Sequence, residues 1–150
     1  MSSLQRLVLT GVDGGVLHIE HMEALFGGLN KPLPLHELVF RDFFVRGCLA
    51  PLTKSFRSFP KLNDLVLIGL NMDEHDLRGL MESFQFIPNL RKLNLSSNPL
   101  GHAVTSIVPH VINLPELSEL YLYDTSSDED LNYVRRALPH LRFTFPFLYW

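Results

Sequence analysis

The sequence predicts an α/β repeat protein in which short strands alternate with helices. One observation is a block of apolar residues with the spacing Leu-x-x-Leu-x-(Leu/Phe), which is typical of a short strand and occurs five times. The blocks begin at Leu4, Leu35, Leu62, Leu90 and Leu117. A second observation is the apolar spacing by three and four between the blocks, which favours helices. We therefore expect one domain over residues 1–150, with five repeats beginning near those leucines.

The fourth block gives the physical meaning of the pattern. It reads Leu90-Arg-Lys-Leu93-Asn-Leu95-Ser-Ser-Asn98-Pro-Leu100. Successive side chains of a strand point to opposite faces, so Leu93 and Leu95 enter the core and the residues between them face outwards. We expect Asn98 to offer its side-chain amide to backbone groups at the following bend. Three of the blocks are also preceded by Pro-x-Leu, which makes the approach to the strand repeat as well.

The segments between the blocks predict one helix each. Acidic residues at Asp73, Glu74 and Asp76 favour a helix start through the helix dipole, and the residues from Ser126 to Asp130 form a second capped start. Pro109 must shorten or bend the helix in which it lies. The predicted helices cover residues 18–26, 49–58, 73 onwards, about 102–111 and 126 onwards.

The last ten residues depart from the repeat. Leu141 begins a segment that ends at Trp150, in which aromatic residues alternate with others as in a strand. Pro146 lies inside this segment, which favours an edge strand or a terminal cap over a central strand. Neither end carries a charged capping element, although an open stack of repeats needs its terminal core covered. We therefore expect the chain to be a C-terminal segment of a longer protein.

A spacing of 27 to 28 residues between most blocks matches the long class of leucine-rich repeat. Over about residues 4–140 the sequence resembles the ribonuclease-inhibitor-like family, as in the C-terminal domains of NOD-like receptors and in ubiquitin-ligase substrate receptors. The resemblance implies a horseshoe-shaped solenoid with parallel strands on the concave face and helices on the convex face. Asn98 is the ninth-position asparagine of this pattern. In the other four repeats the ninth position is not asparagine, so the resemblance predicts no turn geometry there. The residues at that position are Val12, Phe43, Leu70 and Thr125.

Function is expected on the concave face, because a solenoid presents that surface to partners. Each strand supplies residues to three rows, and apolar and aromatic residues lie beside a charged row. Exposed patches of this kind mark protein interfaces, and we expect Tyr121 and Tyr123 to be the anchors. The competing interpretation is that β-branched and aromatic residues simply suit strands. The candidate partner-binding residues are Val39, Arg41, Val66, Ile68, Lys92, Asn94, Glu119, Tyr121 and Tyr123.

Composition excludes several other functions. A net charge of −3 gives no electrostatic reason to expect a nucleic acid or an anionic membrane as partner, and no apolar run approaches the roughly 20 residues that span a bilayer. The single cysteine, Cys48, excludes an internal disulfide and favours a reducing compartment, the cytoplasm or alternatively the nucleus. His18 and His21 could share a metal ion from one helix, but no third ligand stands in a motif. No catalytic motif is found, so we expect no enzyme, no cofactor and no metal.

These observations predict a non-catalytic domain that binds a protein or peptide within a larger intracellular receptor, scaffold or ubiquitin-ligase adaptor. Two alternatives stay open. The domain could regulate an enzyme, as a GTPase activator or an inhibitor, or it could pack on the remainder of its parent chain and serve autoinhibition. The acidic run 128–130 has three possible roles: a docking patch, the recognition site of a kinase that modifies Ser127, or a capped helix start. We favour the helix start.

Overall fold

The computed structural model describes residues 4–11, 15–45 and 47–143 of the chain. Strands and helical segments alternate along these residues, which confirms the predicted α/β class. The five strands are β1 (Arg6–Thr10), β2 (Glu37–Arg41), β3 (Asp64–Ile68), β4 (Lys92–Asn94) and β5 (Glu119–Tyr121). The helices are α1 (Ile19–Phe26), α2 (Ala50–Lys54), α3 (Glu74–Ser83), α4 (Val108–Val111) and α5 (Asp128–Ala137). Shorter 3-10 segments cover Ser55–Ser58, Phe84–Phe86 and Gly101–Ile107.

The five strands form one parallel sheet in the order β1-β2-β3-β4-β5. The leucine blocks lie in register across the sheet, because the fourth residue of each block is the backbone partner of the fourth residue in the next. Parallel strands need a crossover between them, and the helical segments supply it. We call each strand with its following helical segment a unit and number the units one to five. The leucines in register are Leu7, Leu38, Leu65, Leu93 and Leu120.

The inward side chains of the strands and the helical segments form one apolar core. It runs from Met22 in α1 to Leu141 beyond α5 without a break. In α3, for example, Leu77, Leu80 and Met81 lie on one side of the helix and are buried. This face follows from their spacing of three and four residues. The helical segments therefore cover one face of the sheet and leave the other face without a helix.

The turn after each strand is the same from the second unit to the fifth. Asp42, Gly69, Ser97 and Asp124 each lie seven residues after the first leucine of their block, and all four have a positive φ between 56° and 65°. Their amides extend the ladder between units: Asp42 N donates to Ile68 O (2.9 Å) and Gly69 N to Ser96 O (3.1 Å). At position 69 the residue is glycine, and a Cβ there would lie 2.7 Å from Asp42 Oδ1, so the Asp42 side chain would have to move. A regular turn is thus formed even where the ninth-position asparagine is missing.

Two helices differ from the prediction. The segment predicted as a helix over 102–111 is mostly a 3-10 helix, and only Val108–Val111 is α-helical, with Pro109 in its first turn. Gly101 and the β-branched residues that follow it have low helix propensity, and proline is tolerated only near a helix start. The segment over 49–58 is likewise divided into α2 and the 3-10 helix Ser55–Ser58.

At the C-terminal end, Leu141 is buried and Arg142 forms a parallel bridge with Glu119. The predicted terminal strand over 141–150 can be followed only this far, because residues 144–150 lie outside the described residues. No helix among the described parts of the chain is long and apolar enough to cross a membrane.

Candidate functional site

The face of the sheet that no helix covers carries the candidate binding residues, and we call it the open face. Its side chains form three rows across the strands. The first row is Arg6, Glu37, Asp64, Lys92 and Glu119; the second is Val8, Val39, Val66, Asn94 and Tyr121; the third begins with Thr10, Arg41 and Ile68. The register of the strands thus brings the predicted residues into neighbouring positions, as expected from the sequence.

The first row is charged and is largely compensated within itself. Arg6 Nε donates to Glu37 Oε2 at 2.6 Å, and Arg142 Nη1 lies 3.9 Å from Glu119 Oε1. Between these pairs, burial raises the pKa of Asp64 above its ordinary value of 3.8, and the positive charge of Lys92 opposes this shift only in part. A partner therefore meets groups of both signs along this row, and no uniform charge.

The second and third rows contain a small apolar cluster of their own. Val39, Val66 and Ile68 pack against one another and keep at most 6% of their surface exposed. In-register strands lie about 4.8 Å apart, so β-branched side chains on one face cover their neighbours. The expectation of a broadly exposed apolar patch at these three residues is therefore wrong. Val8, at the edge of the sheet, keeps 43% of its surface exposed.

The two tyrosines differ in their surroundings. Tyr121 is only 9% exposed, and the Lys92 ammonium lies 5.5 Å from the centre of its ring, within cation–π range. Tyr123 lies just beyond the end of β5 and is 44% exposed. Because Tyr121 is shielded by its neighbours, Tyr123 is the aromatic side chain that a partner can contact over a large area.

Two polar side chains near the end of β4 serve the turn and do not project into solvent. Asn94 is buried, and its Oδ1 accepts a hydrogen bond from Ser96 N at 3.0 Å. Ser96 occupies the third-row place beyond the end of β4, but it is fully buried and its Oγ accepts from Tyr123 N at 3.0 Å. These bonds fix the backbone position of Tyr123. Asn94 thus holds the backbone at the end of β4 and offers little surface of its own to a partner.

A groove of about 320 Å³ runs across the open face. All five strands contribute to its lining, and the side chains combine aliphatic, aromatic, cationic and amide groups. Among the nine predicted residues, Ile68, Glu119 and Tyr123 lie outside this lining. The groove is lined by Arg6, Val8, Thr10, Glu37, Val39, Arg41, Val66, Lys92, Asn94 and Tyr121.

A second, larger cleft of about 530 Å³ lies on the helix side, and sequence reasoning did not predict it. Its buried apolar floor is formed by Met81, Phe84 and Leu114. It lies beside the fourth unit, where the helical segment is short and mostly 3-10. Pro109 within an apolar run was the one signal that this helix would be irregular, but it did not indicate a cleft.

The histidines and acidic groups noted in the sequence have structural partners. His21 Nδ1 accepts a hydrogen bond from His18 N at 3.2 Å, so this nitrogen serves the start of α1. Asp76 is buried, and its Oδ2 accepts from Gly47 N (2.8 Å) and Asp73 N (3.1 Å). Burial raises the pKa of Asp76 despite these bonds. Within the described ranges, no group of three or more histidine, cysteine or acidic side chains is arranged to hold a metal ion.

The acidic run at 128–130 forms the start of α5. Ser127 is the N-cap, and its Oγ accepts from Asp130 N at 3.2 Å. Asp130 in turn accepts from Ser126 Oγ (2.6 Å) and contacts His102 Nδ1 (2.9 Å). The Ser126 hydrogen bond, followed by that of His102, lowers the pKa of Asp130. These contacts favour the helix-start interpretation of the cluster.

Comparison with known proteins gives a likeness of fold. No family model matches the chain, and no curated protein matches it. Among solved structures, the chain is similar to "Leiomodin-1 Actin-Binding Site 2 (ABS2)", with a TM-score of 0.55 and 16% sequence identity. The match covers 66% of this chain and 63% of that chain, so this chain spans less than two thirds of the leiomodin structure. Identity at this level shows a related fold alone.

Proposed function

We propose that this chain is a leucine-rich-repeat solenoid of the ribonuclease-inhibitor-like type and that it binds a protein or peptide on its open face without catalysing a reaction. The groove across all five strands is the observation that carries this proposal. In the proposed arc, this face is the concave side and the helices form the convex side. The parent protein would be a cytoplasmic or nuclear receptor, scaffold or ubiquitin-ligase adaptor, and Cys48 would remain reduced there.

The dimensions of the groove suit an extended segment of polypeptide. Strands of a sheet are spaced by about 4.8 Å, so a groove that crosses five strands is roughly 19 Å long. An extended chain advances about 3.3 Å per residue, and about six residues would span this length. A segment of that length can contact every unit of the domain at once, so affinity would come from several modest contacts.

The chemistry of the lining indicates which groups would make those contacts. Val39 and Val66 give an apolar floor, although little of each side chain is exposed. Lys92 and Glu37 offer charges of opposite sign on the two sides of Asp64, which suits a partner with mixed polar groups. Tyr123 adds an exposed aromatic ring at the end of β5, and tyrosine is enriched among the residues that dominate binding energy.

The proposal is tested by selecting peptides from a random displayed library on the immobilised chain and measuring their affinity for variants. Tyr123→Ala should weaken binding of the selected peptides by about ten-fold, which corresponds to the roughly 1.4 kcal/mol expected of an exposed aromatic contact. Lys92→Gln should weaken it further when both changes are combined. Tyr133, which lies on α5 and is 54% exposed, provides a matched control.

Tyr133→Ala should leave the affinity unchanged, because this side chain lies on the opposite side of the molecule from the groove. If Tyr133→Ala abolished binding and Tyr123→Ala had no effect, the open face would not be the recognition surface. The proposal would also be contradicted if the selected peptides, added in an NMR titration, shifted none of the amide signals of open-face residues.

A further inference from the structure

Basic residues are concentrated at the edge of the molecule where the helical segments end and the next strands begin. Three segments meet at this edge, residues 27–33, 54–63 and 84–91, and they contain five basic residues and no acidic residue. The chain as a whole has a net charge of −3, so this edge is positive within an acidic molecule. We call the five residues, all of them exposed, the basic edge: Lys31, Lys54, Arg57, Lys61 and Arg91.

The first two segments are joined at Ser58. Its carbonyl oxygen accepts a hydrogen bond from Leu33 N at 2.8 Å, and its Oγ donates to Leu29 O at 3.3 Å. The loop that carries Lys31 therefore lies against the 3-10 helix Ser55–Ser58. Basic side chains of the first and second units are brought together by these bonds.

The second and third segments are joined by two further hydrogen bonds. Asn89 Nδ2 donates to Pro60 O at 3.2 Å, and Arg91 N donates to Asn63 O at 2.7 Å. Lys61 lies between these two acceptors in the chain. Basic residues of three successive units therefore follow one another along the same edge.

The cations of the basic edge have no acid in direct contact. Among the described residues, no carboxylate forms an ion pair with any of the five. Arg57 instead lies over the ring of Phe86, with its guanidinium carbon 4.5 Å from the ring centre. Cations near the C-terminal end of a helix also serve the helix dipole, but Lys31 and Lys61 lie in loops beyond the helix ends. That role does not account for these two charges.

The basic edge is short and is bounded by acids. Lys61 occupies the middle place of a Pro-x-Leu motif, and Glu116 holds the same place two units further along the chain. On the helix side, Glu23 lines the same cleft as Lys54. A long or flat polyanion would meet these acids as well, so the surface suits a short anionic segment.

The neighbouring side chains favour an acidic polypeptide over a nucleic acid or a membrane. Surfaces that bind single-stranded nucleic acids add aromatic rings on which bases stack, but Phe86 is half-buried and Arg57 lies over its ring. Membrane-binding surfaces add apolar side chains that enter the bilayer. None of the large exposed apolar residues in the described part of the chain lies in the three segments. An extended acidic peptide needs neither feature.

We propose that the basic edge binds a short acidic segment of a partner protein through its aspartate and glutamate carboxylates. This surface is separate from the open face, so the site goes beyond the proposed function and does not depend on it. Affinity comes from several ion pairs that act together, because each exposed pair alone contributes little. The contact with Phe86 restricts Arg57 beforehand and lowers the entropy that this side chain loses on binding.

Fluorescence anisotropy of a labelled hexaglutamate peptide tests the proposal at about 0.1 M salt, where the Debye length is about 10 Å. The variant Lys54→Gln/Arg57→Gln/Lys61→Gln should bind the peptide about ten-fold more weakly than the natural chain, as expected for the loss of three exposed ion pairs. All three side chains are exposed, so the variant should fold as the natural chain does.

A matched control removes the same charge from another surface. The variant Arg78→Gln/Arg135→Gln/Arg136→Gln changes three exposed residues of α3 and α5. Its affinity for hexaglutamate should stay within about two-fold of that of the natural chain, because salt screens charges that lie far from the peptide.

Cross-linking locates the peptide on the surface. The chain has four lysines, of which three belong to the basic edge and the fourth, Lys92, lines the groove of the open face. A carbodiimide joins a carboxylate to a lysine amine in contact with it. Acetylated hexaglutamate should therefore be coupled to Lys31, Lys54 and Lys61 much more than to Lys92, as measured by mass spectrometry of the digested chain.

Several results would overturn the proposal. The natural chain might bind no hexaglutamate, the two triple variants might lose equal affinity, or coupling might occur mainly at Lys92. Tighter binding of hexathymidylate, or of vesicles of phosphatidylserine and phosphatidylcholine, would assign the basic edge to a nucleic acid or a membrane and would equally refute an acidic polypeptide as its partner.

Discussion

Asn98 joins the third unit to the fourth through its side-chain amide. Its Oδ1 accepts from Leu70 N (3.0 Å) and Met72 N (3.2 Å), and its Nδ2 donates to Leu67 O (2.8 Å) and to Leu95 O (2.9 Å). The residue is fully buried, so water cannot replace these bonds. Thr125 holds the equivalent place in the fifth unit, and its Oγ1 donates to Leu122 O at 2.7 Å. The Thr125 side chain thus makes the counterpart of the Asn98 bond to Leu95 O, and it does not make counterparts of the Asn98 bonds to the preceding unit.

Replacing Asn98 should therefore destabilise the chain more than replacing Thr125. Asn98→Ala leaves buried amides of the third unit without acceptors and should lower the free energy of unfolding by about 2–4 kcal/mol. Thr125→Val removes one bond and should cost about 1 kcal/mol. Urea unfolding followed by circular dichroism measures both. Equal losses for the two variants would contradict the bridging role of Asn98.

Asp76 is a buried carboxylate that links the start of α3 to the preceding unit through Gly47 N. Burial raises its pKa above the ordinary value of 3.8, so the folded chain holds the proton more tightly than the unfolded chain does. The resulting stabilisation is fully present below pH 3.8 and is lost as pH rises through the raised pKa. Asp64 shifts in the same direction, whereas Asp130 shifts in the opposite one.

Asp76→Asn should remove this part of the pH dependence. A neutral amide oxygen can still accept from Gly47 N and Asp73 N, and no charge is buried at neutral pH. The variant should thus gain stability relative to the natural chain as pH rises from 3.8 towards neutrality. Denaturant unfolding at a series of pH values measures the difference. A variant whose stability followed pH in parallel with that of the natural chain would contradict this role of Asp76.

Among the elements, α5 and the fourth helical segment mark what the sequence could and could not predict. The start of α5 was readable because Ser127 and the following acids form a local cap that needs no tertiary context. The 3-10 helix Gly101–Ile107 was not readable from its apolar spacing, since a 3-10 and an α-helix bury similar side chains over so few residues. The recurring turn with positive φ was also not predictable at Asp42 or Asp124, because backbone bonds between units impose it.

The cap of α5 gives a test at this level. Ser127→Ala should lower the free energy of unfolding by about 1 kcal/mol, whereas Ser127→Gly should cost only a few tenths, because glycine is tolerated at an N-cap. Amide hydrogen exchange should show faster opening of the first turn of α5 in the alanine variant. A loss as large in the glycine variant would mean that Ser127 does more than cap the helix.

Across the whole molecule, the strand in which a leucine lies determines how far it is buried and therefore how much it stabilises the fold. Leu7 and Leu65 occupy the same place in their strands, but Leu65 is fully buried and Leu7 is only partly buried at the β1 edge. Leu65→Ala should cost about 3–5 kcal/mol through lost burial and the cavity that remains. Leu7→Ala should cost less than about 2 kcal/mol. Thermal or urea unfolding measures both.

The overall arrangement of the candidate site could be predicted from the sequence, but its exposure could not. Alternation within each block was sufficient to assign Val39, Lys92 and Tyr121 to one face. Their accessibility depends on how closely neighbouring strands bring their side chains together, and it differs along the same face. Val39 is nearly buried between neighbours, while Val8, with the same side chain in the same row, is open at the edge. The helix-side cleft at Phe84 and Leu114 depends on the irregular fourth unit and had no signal of its own.

Each strand pairs only with the strands before and after it in the chain, so no contact between distant units opposes a force applied to the two ends. When the chain is pulled by its ends in an optical trap, it should lengthen in discrete steps, and β5 with α5 should unfold before the preceding units. The step that unfolds residues 62–98 should need the greatest force, because the Asn98 side chain joins the third and fourth units there in addition to the backbone hydrogen bonds.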